Sequence, residues 1–295
     1  MSTTTKSATF AGLLSVLFWS MSAVIIFFSK GVHPFLFAGF EHFIGFLCFC
    51  AIWIVRKENP IPILKSIPAW FYGIATMGVV LHTLTWIVSI RSVPPLEATL
   101  IIYTWPLMVV IFTSISLKEK LYWFHYAACV IGFLGIFFML SHKGLSLSEF
   151  SFKRGHVLAI ICALSWSIYS AVAARQKHLN SYIYAVVYIV SAIVNTSIWL
   201  IVYEAPKPNF ISMFIITCVG ITSTIGYILW DYGMKRGDSR LIGTASFLTP
   251  VLSTSFLILA GQGAFDYRTV LSLCLVMSGI FLVKYGPKFF QKNKE

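Results

Sequence analysis

Two carboxylates, one histidine and a set of aromatic rings are the chemistry-bearing groups that this sequence places inside long apolar stretches. Glu41 lies about two turns into one such stretch, residues 34–55. Asp231 closes another that begins at residue 208. A carboxylate at bilayer depth costs roughly 2.5–3.5 kcal/mol on insertion scales, so it is expected to face a bundle interior or a wet cavity. Glu41 then has two readings: it binds substrate or a proton, or it is held by a structural partner such as the neighbouring His42. Asp231 is only a turn from Lys235 and Arg236, which favours an ion pair at a helix end. His82 precedes Trp86 by four residues, so both share a helix face, and His82 reads as a hydrogen-bonded core residue or as a proton relay.

The aromatic candidates are Tyr103 and Trp105, suited to stacking against an aromatic or cationic ligand, and Trp19 and Trp166, which belong either to the interior or to the interfacial belt. With Glu41, His82 and Thr249 they form the expected substrate-binding set. Pro106 and Pro250 fall near the middle of two apolar runs, where each removes a helical hydrogen bond and frees a carbonyl four residues earlier. Freed carbonyls at membrane depth are tolerated where they face protein or a cavity, and paired interruptions mark a midplane site or a hinge. Glu97 opens a run at an end where a carboxylate suits the positive helix terminus, and capping is its expected role.

Other chemistry lacks its motifs. There is no Gly-x-Ser-x-Gly elbow, no His-Glu-x-x-His pair and no phosphate-binding Gly-x-x-x-x-Gly-Lys-Ser/Thr loop, which argues against an enzyme or a primary pump. The six cysteines have no ligand-like spacing, so neither a metal nor a cofactor is expected.

The elements that must position these groups are membrane helices. The chain is 58% hydrophobic and 11% charged, with a mean hydropathy of +0.84, outside the range of soluble domains. Apolar runs of spanning length cover 7–29, 34–55, 66–90, 98–117, 121–142, 155–174, 178–203, 208–230, 241–265 and 267–286. Ten transmembrane helices are therefore expected, and the first run, lacking a small-residue cleavage site, reads as a retained helix over 8–29. In the loops between them and the two termini, 15 Lys and Arg fall on one side and 7 on the other, which places both termini in the cytoplasm. The net charge of +12 is thus a topology signal rather than a nucleic-acid surface.

The two halves repeat. At an offset of 144, Trp86 matches Trp230, Arg91 matches Lys235, Pro106 matches Pro250, and Gly135-Ile136-Phe137 matches Gly279-Ile280-Phe281. Trp19-Ser20 matches Trp166-Ser167 at an offset of 147. The division expected is a first five-helix repeat over 1–142, a linker loop over 143–152 and a second repeat over 153–295. An odd number of spans per repeat makes the second copy inverted in the membrane. Ala159, Ala163, Ser167 and Ala171 form a ladder of small residues that invites close helix packing, and Ala128 with Gly132 makes a shorter one.

On these features the sequence resembles the drug/metabolite transporter superfamily, specifically its EamA-type members. The early Trp-Ser of each repeat, the mid-helix prolines and the exit Leu117-Lys118-Glu119-Lys120-Leu121 carry the likeness. The stretch Glu97…Tyr103-Thr104-Trp105-Pro106 is similar to the aromatic amino-acid exporter branch. Two departures stand out: many members carry an Arg near the position of Glu41, and the second repeat has Gln262-Gly263 where the first has its Glu119 exit motif. The resemblance implies a monomeric or weakly associated carrier of the bacterial inner membrane, exporting amino acids or related metabolites by alternating access. The alternative is an uptake exchanger for a cofactor-like metabolite such as S-adenosylmethionine or a nucleoside. Proton, counter-substrate and substrate gradient all stand open as the driving partner.

Overall fold

The computed structural model describes residues 3–27, 32–141, 152–202, 208–261 and 266–290. The expected linker falls almost wholly outside these, as do Gln262-Gly263, Lys292 and Lys294. Every regular element among the described residues is helical. In chain order they are α1 (Thr3–Phe27), α2 (Pro34–Arg56), α3 (Pro60–Ser66), α4 (Ala69–Thr76) and α5 (His82–Ser92). Then come α6 (Pro95–Ile102), α7 (Trp105–Leu117), α8 (Trp123–Ser141), α9 (Arg154–Arg175) and α10 (Ile183–Val202). The last are α11 (Phe210–Arg236), α12 (Ser239–Ala245), α13 (Leu248–Leu259) and α14 (Tyr267–Phe290).

Eight helical segments are long and apolar enough to cross a membrane, and three of them join two labelled pieces: Ala69–Ser92, Glu97–Leu117 and Ser239–Leu259. A shorter apolar helix covers Trp123–Met139. The 25-residue α1 packs along α11. Large apolar side chains such as Ile54, Val55, Leu200, Ile201 and Phe210 are more than 60% exposed, a surface that only a lipid environment covers without penalty.

Local sequence sets the helix ends. The side-chain oxygens of Asn59, Asn209 and Asp238 accept from the backbone N–H of Ile61, Ser212 and Leu241 and so start α3, α11 and α12. Lys57 and Lys118 stop α2 and α7 in the left-handed conformation, at φ 51° and 55°.

The two prolines do more than kink their helices. The segment Glu97–Leu117 is broken at Tyr103–Thr104 and Ser239–Leu259 at Ser246–Phe247, a few residues before Pro106 and Pro250. Short-range bonds bridge the breaks, Thr104 N–H to the Ile101 carbonyl at 3.1 Å and Phe247 N–H to that of Thr244 at 3.3 Å. Hydroxyls donate there as well, Thr104 Oγ1 to the same Ile101 carbonyl at 2.7 Å and Ser246 Oγ to that of Gly243 at 2.5 Å. An interruption the apolar pattern did not signal is the π turn Met77–Leu81 between α4 and α5. One extra residue in that turn rotates everything after it, His82 first, by about 100° relative to a regular helix.

Small residues set the closest packing. All four members of the α9 ladder are buried, and α9 packs against α5, α6 and α7. A Cβ on Gly279 would stand 2.8 Å from the Ala128 carbonyl oxygen, and one on Gly233 would stand 2.6 Å from Gly12 Cα. Neither α14 against α8 nor α11 against α1 leaves room for one.

Candidate functional site

The site starts from rings. Trp19 of α1 stands at the centre of a cluster, with ring centroids 5.2 Å from Trp230, 5.5 Å from Tyr227, 5.8 Å from Trp166 and 6.4 Å from Trp105. Most of these contacts are edge-to-face, the arrangement that the quadrupoles of aromatic rings favour. Trp230 is fully buried and donates its indole N–H to Ser170 Oγ at 3.2 Å. Trp19 fits because Gly226 lies beneath it: a Cβ there would be 2.6 Å from its Nε1. Tyr169, Tyr184 and Tyr188 extend the cluster along α9 and α10, with Tyr184 and Tyr188 5.6 Å and 5.8 Å from Tyr227.

A cavity of about 280 Å³ reaches this cluster from one end of the bundle. That is near the lower end of small-molecule sites, roughly 300–1,000 Å³. Its polar lining is Glu41 and His42 from α2, His82 and Thr83 from α5, and Tyr227 from α11, with Trp86 beside them. Tyr227 belongs to both cavity and cluster, 5.2 Å from Trp166, and the His82 ring lies 6.0 Å from Trp166. Gly220 lets α2 approach α11 at this level, since a Cβ there would meet the Glu41 carbonyl oxygen at 2.9 Å.

The polar groups differ in how they are held. His82 Nδ1 lies 3.1 Å from the Cys162 carbonyl, which can only accept, so Nδ1 carries the proton and Nε2 is left as an acceptor. His42 takes Ser191 Oγ at 3.0 Å, and Ser191 in turn receives Asn195 Nδ2 at 3.1 Å. His42 is therefore tied to α10 rather than to Glu41. Among the described residues no lysine or arginine pairs with Glu41, and the nearby Ser223 hydroxyl is 3.5 Å from Ser22 Oγ.

The rim of the cavity carries Ile90, Val32 and Pro34. Just beyond them Arg91 donates to His33 Nε2 at 2.9 Å. Burial first and the Arg91 charge second hold the His33 imidazole below its usual pKa, which keeps it neutral and able to accept.

The opposite end of the cluster is sealed by polar bonds. Asp231 Oδ2 receives Ser181 Oγ at 2.5 Å and Lys235 Nζ at 2.7 Å, and the same ammonium reaches the Leu179 carbonyl at 2.8 Å. Both charged side chains are buried. Arg236 instead lies over the Tyr232 ring, 5.2 Å from its centroid. Around the seal, Tyr182 bridges Glu58 and Arg56, and Arg240 lies 3.4 Å from Glu119. Glu97 stands in the first turn of α6 as expected, and its main partner is His156 Nε2 on α9, at 2.8 Å.

Of the seven residues expected to bind substrate, Glu41 and His82 line the cavity, while Trp19, Trp105 and Trp166 form the ring cluster behind it. Tyr103 and Thr249 stand at the two helix breaks. The Thr249 carbonyl accepts from Ser20 Oγ at 3.2 Å, and the Trp105 carbonyl accepts from Ser167 Oγ at 3.1 Å. Tyr227 was absent from the expected set. The available signal was its spacing of three from Trp230 and four from Asp231, which puts all three near one helical stripe.

A helical bundle with an apolar belt, broken spans and a half-polar cavity ending on aromatic rings defines a membrane transporter. The chain belongs to the EamA-like transporter family, whose pattern it matches over residues 6–141 and again over 153–285. It is 29% identical to the aromatic amino acid exporter YddG of Ancylobacter novellus over 277 residues, 93% of this chain and 96% of that one. It is 22% identical to the exporter of the same name from Escherichia coli, over 85% of this chain and 88% of the relative. It is also 24% identical to the uncharacterized transporter YoaV of Bacillus subtilis, over 92% and 94%. One crystal structure superposes with a TM-score of 0.87 at 27% identity, covering 96% of this chain and 98% of the other.

Proposed function

We propose that this protein exports aromatic amino acids across the bacterial inner membrane by alternating access. The observation that carries the reading is the continuity between an open cavity and a buried cluster of four indoles and several phenols. Two relatives bearing the name of aromatic amino acid exporters support it.

Ten spans in two inverted repeats are the architecture behind this reading, with α1 and α8 completing the eight longer segments. Helix pairing supports it: α1 packs on α11 and α13, while α9, its counterpart, packs on α5 and α7. The bonds Ser20 to Thr249 and Ser167 to Trp105 are the same pair exchanged between halves. With both termini cytoplasmic, the cavity opens outward and the Asp231–Lys235 seal closes the inner end. The helix breaks at Tyr103–Thr104 and Ser246–Phe247 are then the points about which the bundle reopens.

Efflux from proteoliposomes loaded with labelled tryptophan tests the proposal. Release above that from protein-free liposomes is expected, with competition by phenylalanine and tyrosine and none by aspartate. Release no faster than from empty liposomes overturns it. In the same assay Pro106→Ala is expected to slow turnover several-fold with little change in half-saturation, since it lets the broken segment re-form.

A further inference from the structure

We infer that Glu41 is the anchor for the substrate's ammonium group, so the cavity selects aromatic molecules by their positive charge. This deepens the export reading and rests on it.

The lining is one-sided in its fixed charge. Glu41 contributes two carboxylate oxygens, and His82 contributes Nε2 as an acceptor because its Nδ1–H is committed to the Cys162 carbonyl. Trp86 and Tyr227 add π faces, which attract an ammonium and repel a carboxylate. Among the described residues no lysine or arginine lines the cavity, and Arg91 stands outside its rim, bonded to His33. The site thus holds one carboxylate, an imidazole acceptor and π-rich rings beside the hydroxyls of Thr83 and Tyr227, with no fixed positive charge among the described residues.

The second carboxylate of the core shows what a structural role looks like: Asp231 has a lysine and a hydroxyl on one oxygen. Glu41 has a cavity in front of it and no ionic partner among the described residues. A carboxylate kept at membrane depth without a counter-ion, facing ligand space that Trp86 and Tyr227 also line, fits a substrate that brings the cation itself. An aromatic amine meets this requirement fully. An aromatic amino acid meets it with its ammonium and directs its carboxylate away from Glu41, toward the mouth where Arg91 stands.

Four indoles of different charge separate the possibilities: tryptophan (zwitterion), tryptamine (cation), indole-3-acetate (anion) and indole (neutral). Binding would be followed by tryptophan-independent calorimetry on the detergent-purified full chain at pH 7. Tryptamine is expected to bind at least about tenfold more tightly than indole, and indole-3-acetate more weakly than indole. In Glu41→Gln the tryptamine advantage should fall to within about twofold of indole, while indole binding is retained. Glu41→Asp should keep part of the advantage, and it covers the case in which the glutamine variant does not fold. Equal binding of tryptamine and indole-3-acetate to the unaltered protein overturns the ammonium anchor and leaves the aromatic export reading in place. A tryptamine preference that survives both substitutions overturns the assignment to Glu41. No binding of any of the four overturns the export reading itself.

Discussion

Glu41 and Asp231 are both acidic residues within long apolar helices, and the bundle treats them in opposite ways. Asp231 is sealed: Lys235, one turn away on the same helix, and Ser181 from the connection between α9 and α10 share its Oδ2. Glu41 lines a cavity with no cation beside it among the described residues. Desolvation is costly in both places, so the pairing decides what each carboxylate is for. A paired carboxylate closes one end of the cluster, and an open one waits at the other.

The comparison breaks most readily at the sealed end. Lys235→Met leaves Asp231 as an uncompensated buried charge, and a loss of about 3–5 kcal/mol in stability is expected from thermal or denaturant unfolding. Replacing both Asp231 and Lys235 with apolar residues should recover most of that loss. If the single variant is as stable as the parent, the pair does not hold this end shut.

Gly226→Ala comes next. Its Cβ would stand 2.6 Å from Trp19 Nε1, so the indole must shift away from Tyr227 and Trp230. About 1–3 kcal/mol of destabilisation is expected, with a change in tryptophan fluorescence and a fall in tryptophan efflux. Unchanged emission would mean that the cluster is looser than its ring distances imply.

At the open end the expected effect on stability is small. Glu41→Gln removes a charge that has no ionic partner, so unfolding should shift by less than about 1 kcal/mol while ligand preference changes. A loss as large as that of Lys235→Met would place Glu41 in the structural class with Asp231.

The smallest effect belongs to the rim. His33 is held below its usual pKa by burial and by Arg91, so its neutral form is the one the fold favours. Its contribution is present above the ordinary histidine value, about 6.5, and is lost as pH falls through the lowered folded value. The parent should therefore lose slightly more stability than His33→Gln between pH 7 and pH 5, and identical profiles would remove the Arg91 contact from the account.

Much of this was legible in the chain. Apolar runs of spanning length dictate helices, because in lipid a backbone must satisfy its own hydrogen bonds. The internal matches singled out Trp19, Trp166, Trp230 and the two prolines, and the cost of a buried charge singled out Glu41 and Asp231. The ladder on α9 announced close packing, since small side chains gain by backbone approach where no hydrophobic effect operates between helices.

Other features were settled only by the assembled bundle. The sequence left His42 open as a partner for Glu41, and the fold gave it Ser191 from α10, 149 residues away. Glu97 read as a helix-end charge, and the approach of α9 supplied His156. The prolines foretold a disturbance, but whether a helix bends or breaks depends on which neighbouring donors take up the freed carbonyls. The π turn before His82 has no proline to mark it, and Tyr169 packed against Gly78 is visible only in three dimensions. Composition and periodicity are properties of one helix at a time, so the sequence determined which segments enter the bilayer and which groups they carry there. Which groups meet depends on the rotation and approach of several helices at once, and that is why only the tertiary structure decided that one carboxylate is sealed and the other faces a cavity.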